Sequence, residues 1–438
     1  MKQDKRLSEV SESLYEEIDS EVRCQDVITL FVMAPVMYCY VKWVLREALK
    51  AGHRTLYFLA RDGYSMYRVA KVICTLEKLP ITCRYLYCSR YSLRSAQYAL
   101  LGQDSLDYIC LGGIDVTFER LMCRAGLNRE EAVMIAGQLG YAEQMQVPLS
   151  YAKVKAMKSG LLACPDFMDL LMKHAKENYP LVCGYLAQEG LLQSEPYAVV
   201  DSGWTGSMQK SIRQLLSGMG YEKRIEGYYF GMYEYPEMTD RADYHCYYFE
   251  PKKKIRRKVY FSNCLFECIF SSPEGMTLGY RQEKDRYIPV LEKPENPNKT
   301  AIEHSTQKLC AFAERMIAVF QEDVRIPEDG RKTITEQLLK CFMGHPLREE
   351  AEVYGSYIFC DDVRGEEQQT VAAKMSYQEL KENRPVRKGI NMLLQNGKPV
   401  KESAWPEGST VLIEEAGNND LRRCALYKYA LYLRKLTK

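Results

Sequence analysis

Short apolar runs and amphipathic segments alternate along the first 280 residues of the chain. The runs at 54–60 and 83–88 predict two strands, because polar or turn-forming residues bound each of them. Between the two runs, apolar residues recur at the i, i+3, i+4 and i+7 spacing of a helix packed on one face: Met66, Val69, Ala70 and Ile73. A strand, a helix and a strand at this spacing predict a βαβ unit with parallel strands.

The same pattern resumes after residue 192. Strands are predicted at 197–201, 225–232 and 244–249, with an amphipathic helix after the first of them. Residues 104–192 are mostly helical in pattern, so they predict an insertion between the second and third strands. The fold class is therefore α/β, with a Rossmann-like, mostly parallel sheet, a long helical insertion and a helical C-terminal subdomain.

These elements divide the chain into four predicted parts. Residues 1–103 hold the first half of the core with an N-terminal helix, and residues 104–192 form the helical insertion. Residues 193–295 hold the second half of the core, and residues 296–438 form the helical C-terminal subdomain. A run of basic residues at 252–258 predicts a solvated hairpin tip, with a phosphate or polyanion contact as the alternative.

Composition narrows the class of protein. With 438 residues, 46% of them hydrophobic and 27% charged, the chain has the make-up of a globular protein with a large core. The net charge of +2 gives no reason to expect a nucleic-acid partner. The apolar run 27–45 contains Pro35 and Lys42, so we predict a buried helix and no transmembrane segment, with an interfacial helix as the alternative.

Cysteine usage indicates the redox environment. Most of the 16 cysteines lie inside apolar runs, and the charged N-terminal segment shows no signal peptide. We therefore predict free thiols and a cytoplasmic location. A zinc site is not expected, because the chain has no C-x-x-C pair and its five histidines are scattered.

The segment 197–209 carries the strongest candidate site. An apolar strand leads into Asp201 and then into a turn rich in glycine and hydroxyl groups, followed by a helix. Free backbone N–H groups at a helix N-terminus bind anions, so a phosphate is predicted at Gly203, Thr205, Gly206 and Ser207. The alternative is that Asp201 or Ser202 only caps the helix.

A second segment of the same kind lies at Arg61-Asp62-Gly63, after the first strand. Arg61 and Gly63 are predicted to bind phosphate, since arginine pairs bidentately with phosphate oxygens. The carboxyl ends of parallel strands share one edge, so Asp62 and Asp201 are expected to face one crevice as catalytic residues and ligands of Mg²⁺. The alternative is a buried Arg–Asp pair that joins loops.

Further residues are placed on the substrate side of this crevice. Ser89 and Arg90 follow the second strand, and Trp204 offers a ring that can stack on a base or a sugar. Glu267 lies among apolar neighbours, where a carboxyl group has a perturbed pKa. The alternatives are solvated loop residues for Ser89 and Arg90, a packing role for Trp204, and the wet face of a helix for Glu267.

Two families resemble these motifs. Phe58-Leu59-Ala60-Arg61-Asp62-Gly63 together with the segment from Val200 to Gln209 resembles the C-terminal region of predicted haloacid-dehalogenase (HAD) superfamily hydrolases of bacterial surface-polysaccharide loci. The resemblance implies a HAD-hydrolase-like protein of polysaccharide biosynthesis that binds a phosphorylated or nucleotide-linked sugar and has glycosyltransferases as partners. The chain departs from that superfamily because it has no Asp-x-Asp-x-Thr/Val nucleophile motif.

The second resemblance is to type I phosphoribosyltransferases. It rests on Val199-Val200-Asp201 followed by Thr205-Gly206, and it implies an enzyme that uses phosphoribosyl pyrophosphate with Mg²⁺. Ser202 stands where a second acidic residue is usual in that family. A third alternative is a non-catalytic partner of glycosyltransferases.

Overall fold

The computed structural model describes residues 5–19, 21–112, 116–326, 330–359, 369–383 and 402–436. The central sheet has five parallel strands in the order β2-β1-β3-β4-β5. These strands are β1 Thr55–Leu59, β2 Thr82–Leu86, β3 Tyr197–Trp204, β4 Glu226–Met232 and β5 Tyr244–Phe249. Short antiparallel pairs follow, namely β6 Thr277–Glu283 with β7 Arg286–Leu291, and β8 Ile358–Phe359 with β9 Gln369–Thr370. The predicted Rossmann-like α/β fold is confirmed.

Helices make up most of the rest of the described chain. Those before β3 are α1 Lys5–Glu16, α2 Cys24–Ala51, α3 Gly63–Leu76, α4 Arg90–Leu101, α5 Leu106–Ile109, α6 Phe118–Arg124, α7 Arg129–Leu139, α8 Tyr151–Leu162 and α9 Pro165–Gln188. Those after it are α10 Ser207–Gly218, α11 Ile255–Val259, α12 Asn263–Phe270, α13 Lys299–Phe320, α14 Arg331–Leu339, α15 Arg348–Gly355, α16 Tyr377–Glu382, α17 Pro406–Leu412 and α18 Asn418–Leu436. Helices alone connect β2 to β3, so the predicted helical insertion is present within the described residues.

Alternating residues of the strands face two separate apolar layers, as the two-residue repeat of a strand requires. On one face Phe58 and Val200 pack with α2, α3, α12 and α13. On the other face Tyr57 and Val199 pack with α4, α9 and α10. The sheet is thus buried on both sides, which is typical of parallel sheets. The insertion has a further apolar cluster of its own between residues 98 and 175.

The chain order of the strands determines where a ligand can approach. The connection from β1 runs to β2 on one side, and the chain then returns to add β3 on the other side of β1. Thr55 accordingly pairs with Thr82 on one side and with Tyr197 on the other. In open α/β sheets, ligands bind at the carboxyl ends of the strands beside such a reversal of order.

The helix Cys24–Ala51 is long and apolar enough to cross a membrane by length and composition alone. Within its most apolar window, 89% of the residues are buried inside the protein. Core helices of globular proteins pass the same test, so the described residues contain no clear transmembrane segment. Tyr40 and Trp43 of this helix pack against Tyr247 of β5, as the predicted buried helix requires.

The predicted hairpin tip at 252–258 is wrong. β5 leads instead into the short helix α11, which buries Arg257 and Lys258. The Arg257 guanidinium donates to the Tyr248 carbonyl oxygen at 2.8 Å and pairs with Glu336 at 2.9 Å. Part of the run is therefore a packed element, because later helices cover it. The sequence also indicates a polar segment with proline and glycine at 385–410, and this segment lies largely outside the described residues.

Candidate functional site

A cleft of about 500 Å³ opens at the carboxyl edge of the sheet, beside β1, β2 and β3. The residues after β1 and β2 contribute Arg61, Asp62, Ser89 and Arg90 to its lining. β3 and the start of α10 contribute Asp201, Gly203, Trp204, Thr205 and Ser207. Glu267 reaches the cleft from α12. Asp62 and Asp201 therefore lie in one crevice, as predicted from the shared carboxyl edge of the parallel strands.

The strand that carries Asp201 is longer than predicted. β3 continues to Trp204, and Asp201 pairs with Tyr229 of β4. The Asp201 side chain accepts hydrogen bonds from the backbone N–H groups of Ser202 and Gly203. α10 begins at Ser207, and Gly206 precedes it without any side-chain cap. The alternative in which Asp201 or Ser202 caps this helix is thus wrong.

Three carboxyl groups in the cleft influence one another. Asp201 is 8% exposed, and burial together with the nearby Asp62 carboxylate raises its pKa well above the usual range. Burial also raises the pKa of Asp62, while a hydrogen bond from the Ser202 hydroxyl and the charges of Arg61 and Arg90 oppose that rise. Interacting carboxyl groups of this kind titrate as a coupled set. Such perturbed groups cluster at functional sites and also occur in structural ion-pair networks.

Glu267 faces the cleft and not bulk water. Its carboxylate accepts a hydrogen bond from the indole N–H of Trp204. Burial and the Asp62 charge raise the pKa of Glu267 to about 8, against the opposing charge of Arg90. At neutral pH this carboxyl group is therefore mostly protonated. The wet-face alternative for Glu267 is wrong.

Arg61 and Arg90 supply positive charge to the same cleft. Both line the cavity, and both lower the pKa of Asp62 and Glu267 by their charge. Across the described ranges, neither side chain donates a hydrogen bond or forms an ion pair, so no buried Arg–Asp pair joins the loops here. Two guanidinium groups without protein partners are well placed to bind an anion.

The turn after Asp201 has an unusual backbone. Gly203 has φ +111°, and a Cβ atom there would lie 2.5 Å from the Gly231 carbonyl oxygen. Trp204 has φ +64°, a left-handed conformation that a large side chain rarely adopts. Its ring packs against Phe249 and Phe266 and also lines the cleft, so Trp204 has a packing role, orients Glu267 and keeps part of its surface toward the cavity. Strained residues of this kind cluster at functional sites.

Three predicted residues have roles in local structure. Gly63 is the first residue of α3 and lies against Phe58. In the described structure neither Gly63 nor Gly206 lines the cleft. The Ser89 hydroxyl caps α4 by accepting from the Ser92 N–H, and it donates to the Thr277 carbonyl oxygen at 2.6 Å. Ser89 thus lines the cleft with its hydroxyl already engaged by protein groups.

Sequence reasoning missed several lining residues. Tyr233 and Glu234 follow β4, and Tyr432 and Lys435 come from the last helix, α18. Tyrosines and leucines on one side and basic residues on the other predict a helix at 419–436, but no local pattern indicates which part of the molecule this helix covers. A second cavity of about 550 Å³ adjoins the cleft, because Arg61, Asp62 and Glu267 line both.

The carboxyl groups of the cleft do not form a complete metal site in the described structure. Within the ranges described, no group of three or more His, Cys, Asp or Glu side chains is arranged to hold a metal ion. Asp62 and Asp201 offer two carboxylates of the type that Mg²⁺ prefers, but the described side chains do not complete such a site. The binding of Mg²⁺ stays a prediction.

Comparison with known proteins leaves the family open. No protein-family model matches the chain, and no curated protein matches it. The resemblances to HAD-superfamily hydrolases and to phosphoribosyltransferases therefore remain predictions from short motifs, and the geometry of the cleft carries the functional argument.

Proposed function

We propose that this protein is an enzyme that binds a phosphorylated or nucleotide-linked sugar in the cleft and transfers or hydrolyses its phosphate ester. One observation carries the proposal. Arg61 and Arg90, which have no protein ion-pair partner in the described structure, line the same cavity as three buried or partly buried carboxyl groups. Anion-binding groups and proton-exchanging groups together are what phosphate-ester chemistry requires.

Phosphate binding is assigned to one edge of the cleft. The two guanidinium groups offer charged donors to the phosphate oxygens. α10 adds the positive end of its dipole at Ser207, and the Thr205 and Ser207 side chains line the same cavity. Since the phosphate is held from β1, β2 and β3 at once, its orientation is determined by the sheet edge.

Proton transfer is assigned to the carboxyl groups. Glu267, with a pKa of about 8, holds a proton at neutral pH and is suited to protonate a leaving oxygen. Asp62, whose charged form is stabilised by the Ser202 hydroxyl and by the charges of Arg61 and Arg90, is suited to accept a proton from the attacking water or hydroxyl group. Tyr64 stands two positions after Asp62 where the HAD motif has its second aspartate, so a phosphoaspartate intermediate is not proposed.

The proposed biological role, location and partners rest on the motif resemblance. A role in bacterial surface-polysaccharide synthesis, a cytoplasmic location and glycosyltransferase partners extend the proposal on that basis. The phosphoribosyltransferase alternative gains no support from Ser202, which stands where that family usually has a second acidic residue. Ser202 is 1% exposed, and its hydroxyl donates a hydrogen bond to Asp62. A large separation between Asp62 and Asp201 would favour the non-catalytic alternative, whereas the two residues line one cleft.

A thermal-shift screen of the full chain tests the proposal. The ligands are sugar phosphates, nucleotide sugars and phosphoribosyl pyrophosphate, each with and without Mg²⁺. We expect at least one sugar phosphate or nucleotide sugar to raise Tm, since a ligand that binds only the folded state stabilises it. Arg61→Gln should remove that shift, while Arg68→Gln, on α3 but outside the cleft lining, should retain it.

Each outcome of the screen has a meaning. Stabilisation by phosphoribosyl pyrophosphate with Mg²⁺ alone would favour the phosphoribosyltransferase alternative. Equal shifts in the wild type and in Arg61→Gln would show that the phosphate lies elsewhere. Release of phosphate from a ligand found in this way, lost in Glu267→Gln, would establish the enzyme.

A further inference from the structure

The last helix of the described chain forms part of the cleft. α18 packs on α11 and α17, and its residues Tyr432 and Lys435 line the same cavity as Asp201. Along the sequence these residues lie more than 200 positions after Asp201, so only the tertiary fold brings them there. Most of α18 is exposed, and Asp420 and Ala425 are its buried residues.

Tyr432 extends an aromatic surface at the cleft. Its ring lies parallel to that of Tyr233, with 5.9 Å between centroids and an interplanar angle of 2°. Tyr233 in turn lies 5.9 Å from the Trp204 ring. We call Trp204, Tyr233 and Tyr432 the aromatic wall, and all three line the cavity. A wall of this kind suits a sugar ring or a base.

Lys435 adds a third cationic group to the lining. It is exposed and has no ion-pair partner in the part of the chain that the structure describes. Behind it lies Lys258, which is 3% exposed. Burial and, to a smaller extent, the charge of Lys435 lower the pKa of Lys258 to about 8. Lys435 thus brings an exposed positive charge to the cleft from the end of α18.

We propose that α18 completes the ligand site, with Lys435 binding a second anionic group of a diphosphate ester. This inference rests on the proposed function, in which Arg61 and Arg90 bind the first phosphate. A single phosphate held at the sheet edge would leave Lys435 and the aromatic wall without a role. A sugar or nucleoside diphosphate uses both sets of groups, and a cavity of about 500 Å³ has room for such a ligand.

Calorimetric titration of the full chain with pyrophosphate and with orthophosphate tests the inference. At equal ionic strength the wild type should bind pyrophosphate more tightly. Lys435→Gln should lower the affinity for pyrophosphate about fivefold, which is the effect of losing one exposed charged contact. The affinity for orthophosphate should change by less than about twofold. Arg422→Gln removes the same charge from α18 outside the cleft lining, so it should change neither affinity.

The outcomes separate this inference from the proposed function. If Arg61→Gln weakens both ligands while Lys435→Gln weakens neither, the diphosphate assignment fails and the proposed function stands. If Lys435→Gln and Arg422→Gln weaken pyrophosphate binding equally, the effect comes from the net charge of the protein and not from a contact with Lys435, and the inference fails. If Arg61→Gln weakens neither ligand, or the wild type binds neither, both proposals fail.

Discussion

The hydroxyl group of Ser202 donates a hydrogen bond to the Asp62 carboxylate, which joins the ends of two neighbouring strands across 140 positions of sequence. Ser202 is 1% exposed, so water cannot replace this donor in the folded state. The bond opposes the burial that raises the pKa of Asp62. The segments after β1 and within β3 therefore act as one polar unit.

Ser202→Ala should raise the pKa of Asp62 further, because the carboxylate loses its donor while its burial persists. The free energy of unfolding should fall by about 1 kcal/mol at neutral pH. A carboxyl-carbon NMR titration measures the pKa, and urea unfolding measures stability. Ser105→Ala is the control, since the buried Ser105 hydroxyl has no hydrogen-bond partner among the described residues and its loss should cost little. An unchanged Asp62 titration would contradict the assigned bond.

Glu267→Gln should reduce the dependence of stability on pH. The folded-state pKa is raised from 4.5 to about 8, so the folded state binds the proton more tightly than the unfolded state. Stability from this group is fully present below about pH 4.5 and is lost as pH rises through 8. At pH 9 we expect the variant to gain about 4 kcal/mol relative to the wild type, compared with pH 5.

Chemical unfolding at the two pH values measures this difference. Glu295→Gln is a suitable control, because Glu295 is exposed and the nearby Lys299 lowers its pKa. If wild type and Glu267→Gln lose stability in parallel between the two pH values, another group is responsible.

Glu322 should support the fold in the opposite pH range. Its buried carboxylate pairs with Arg331 at 2.6 Å and Lys42 at 2.8 Å, and the Tyr38 hydroxyl donates to it at 2.7 Å. Arg331 and Lys42 lower its pKa to about 2, so its stabilisation is present above about pH 4.5 and is lost as pH falls toward 2.

Glu322→Gln should lower the free energy of unfolding by about 3–5 kcal/mol at pH 7, because buried cations lose their counter-ion. Thermal or urea unfolding checks the value, and the loss should shrink as the pH approaches 2. Glu352→Gln, which breaks an exposed pair with Arg348, should cost less than about 0.5 kcal/mol. Equal effects of the two substitutions would mean that the Glu322 network contributes no more than a surface pair.

Gly203→Ala should distort the turn after Asp201. Alanine is disfavoured at φ +111°, and its Cβ would lie 2.5 Å from the Gly231 carbonyl oxygen. We expect a loss of roughly 2–4 kcal/mol in the free energy of unfolding, together with loss of phosphate binding. Gly137→Ala in α7 is the matched control, because open space surrounds that Cβ and alanine favours a helix, so stability should rise by up to about 1 kcal/mol. A Gly203→Ala protein as stable as wild type would refute the close approach of β3 and β4.

The sequence by itself determined the central strands, their mostly parallel arrangement and the edge at which Arg61, Asp62 and Asp201 meet. Periodicity and turn residues are local signals, and a βαβ unit has one usual handedness, so these features follow from neighbouring residues. The length of β3 did not follow, because its last residues, through Trp204, gain their strand pairing from Gly231 and Met232 of β4.

Only the tertiary structure decided which groups complete the cleft. Glu267 accepts a hydrogen bond from Trp204, which lies 63 positions earlier in the sequence. Tyr432 and Lys435 lie on a helix whose local sequence pattern does not indicate which surface it packs on. The charged residues next to Lys258 in the sequence predict an exposed side chain, yet Lys258 is buried where α18 packs on α11. Burial, and with it the pKa of each of these groups, depends on contacts between distant segments, which residue pattern alone does not contain.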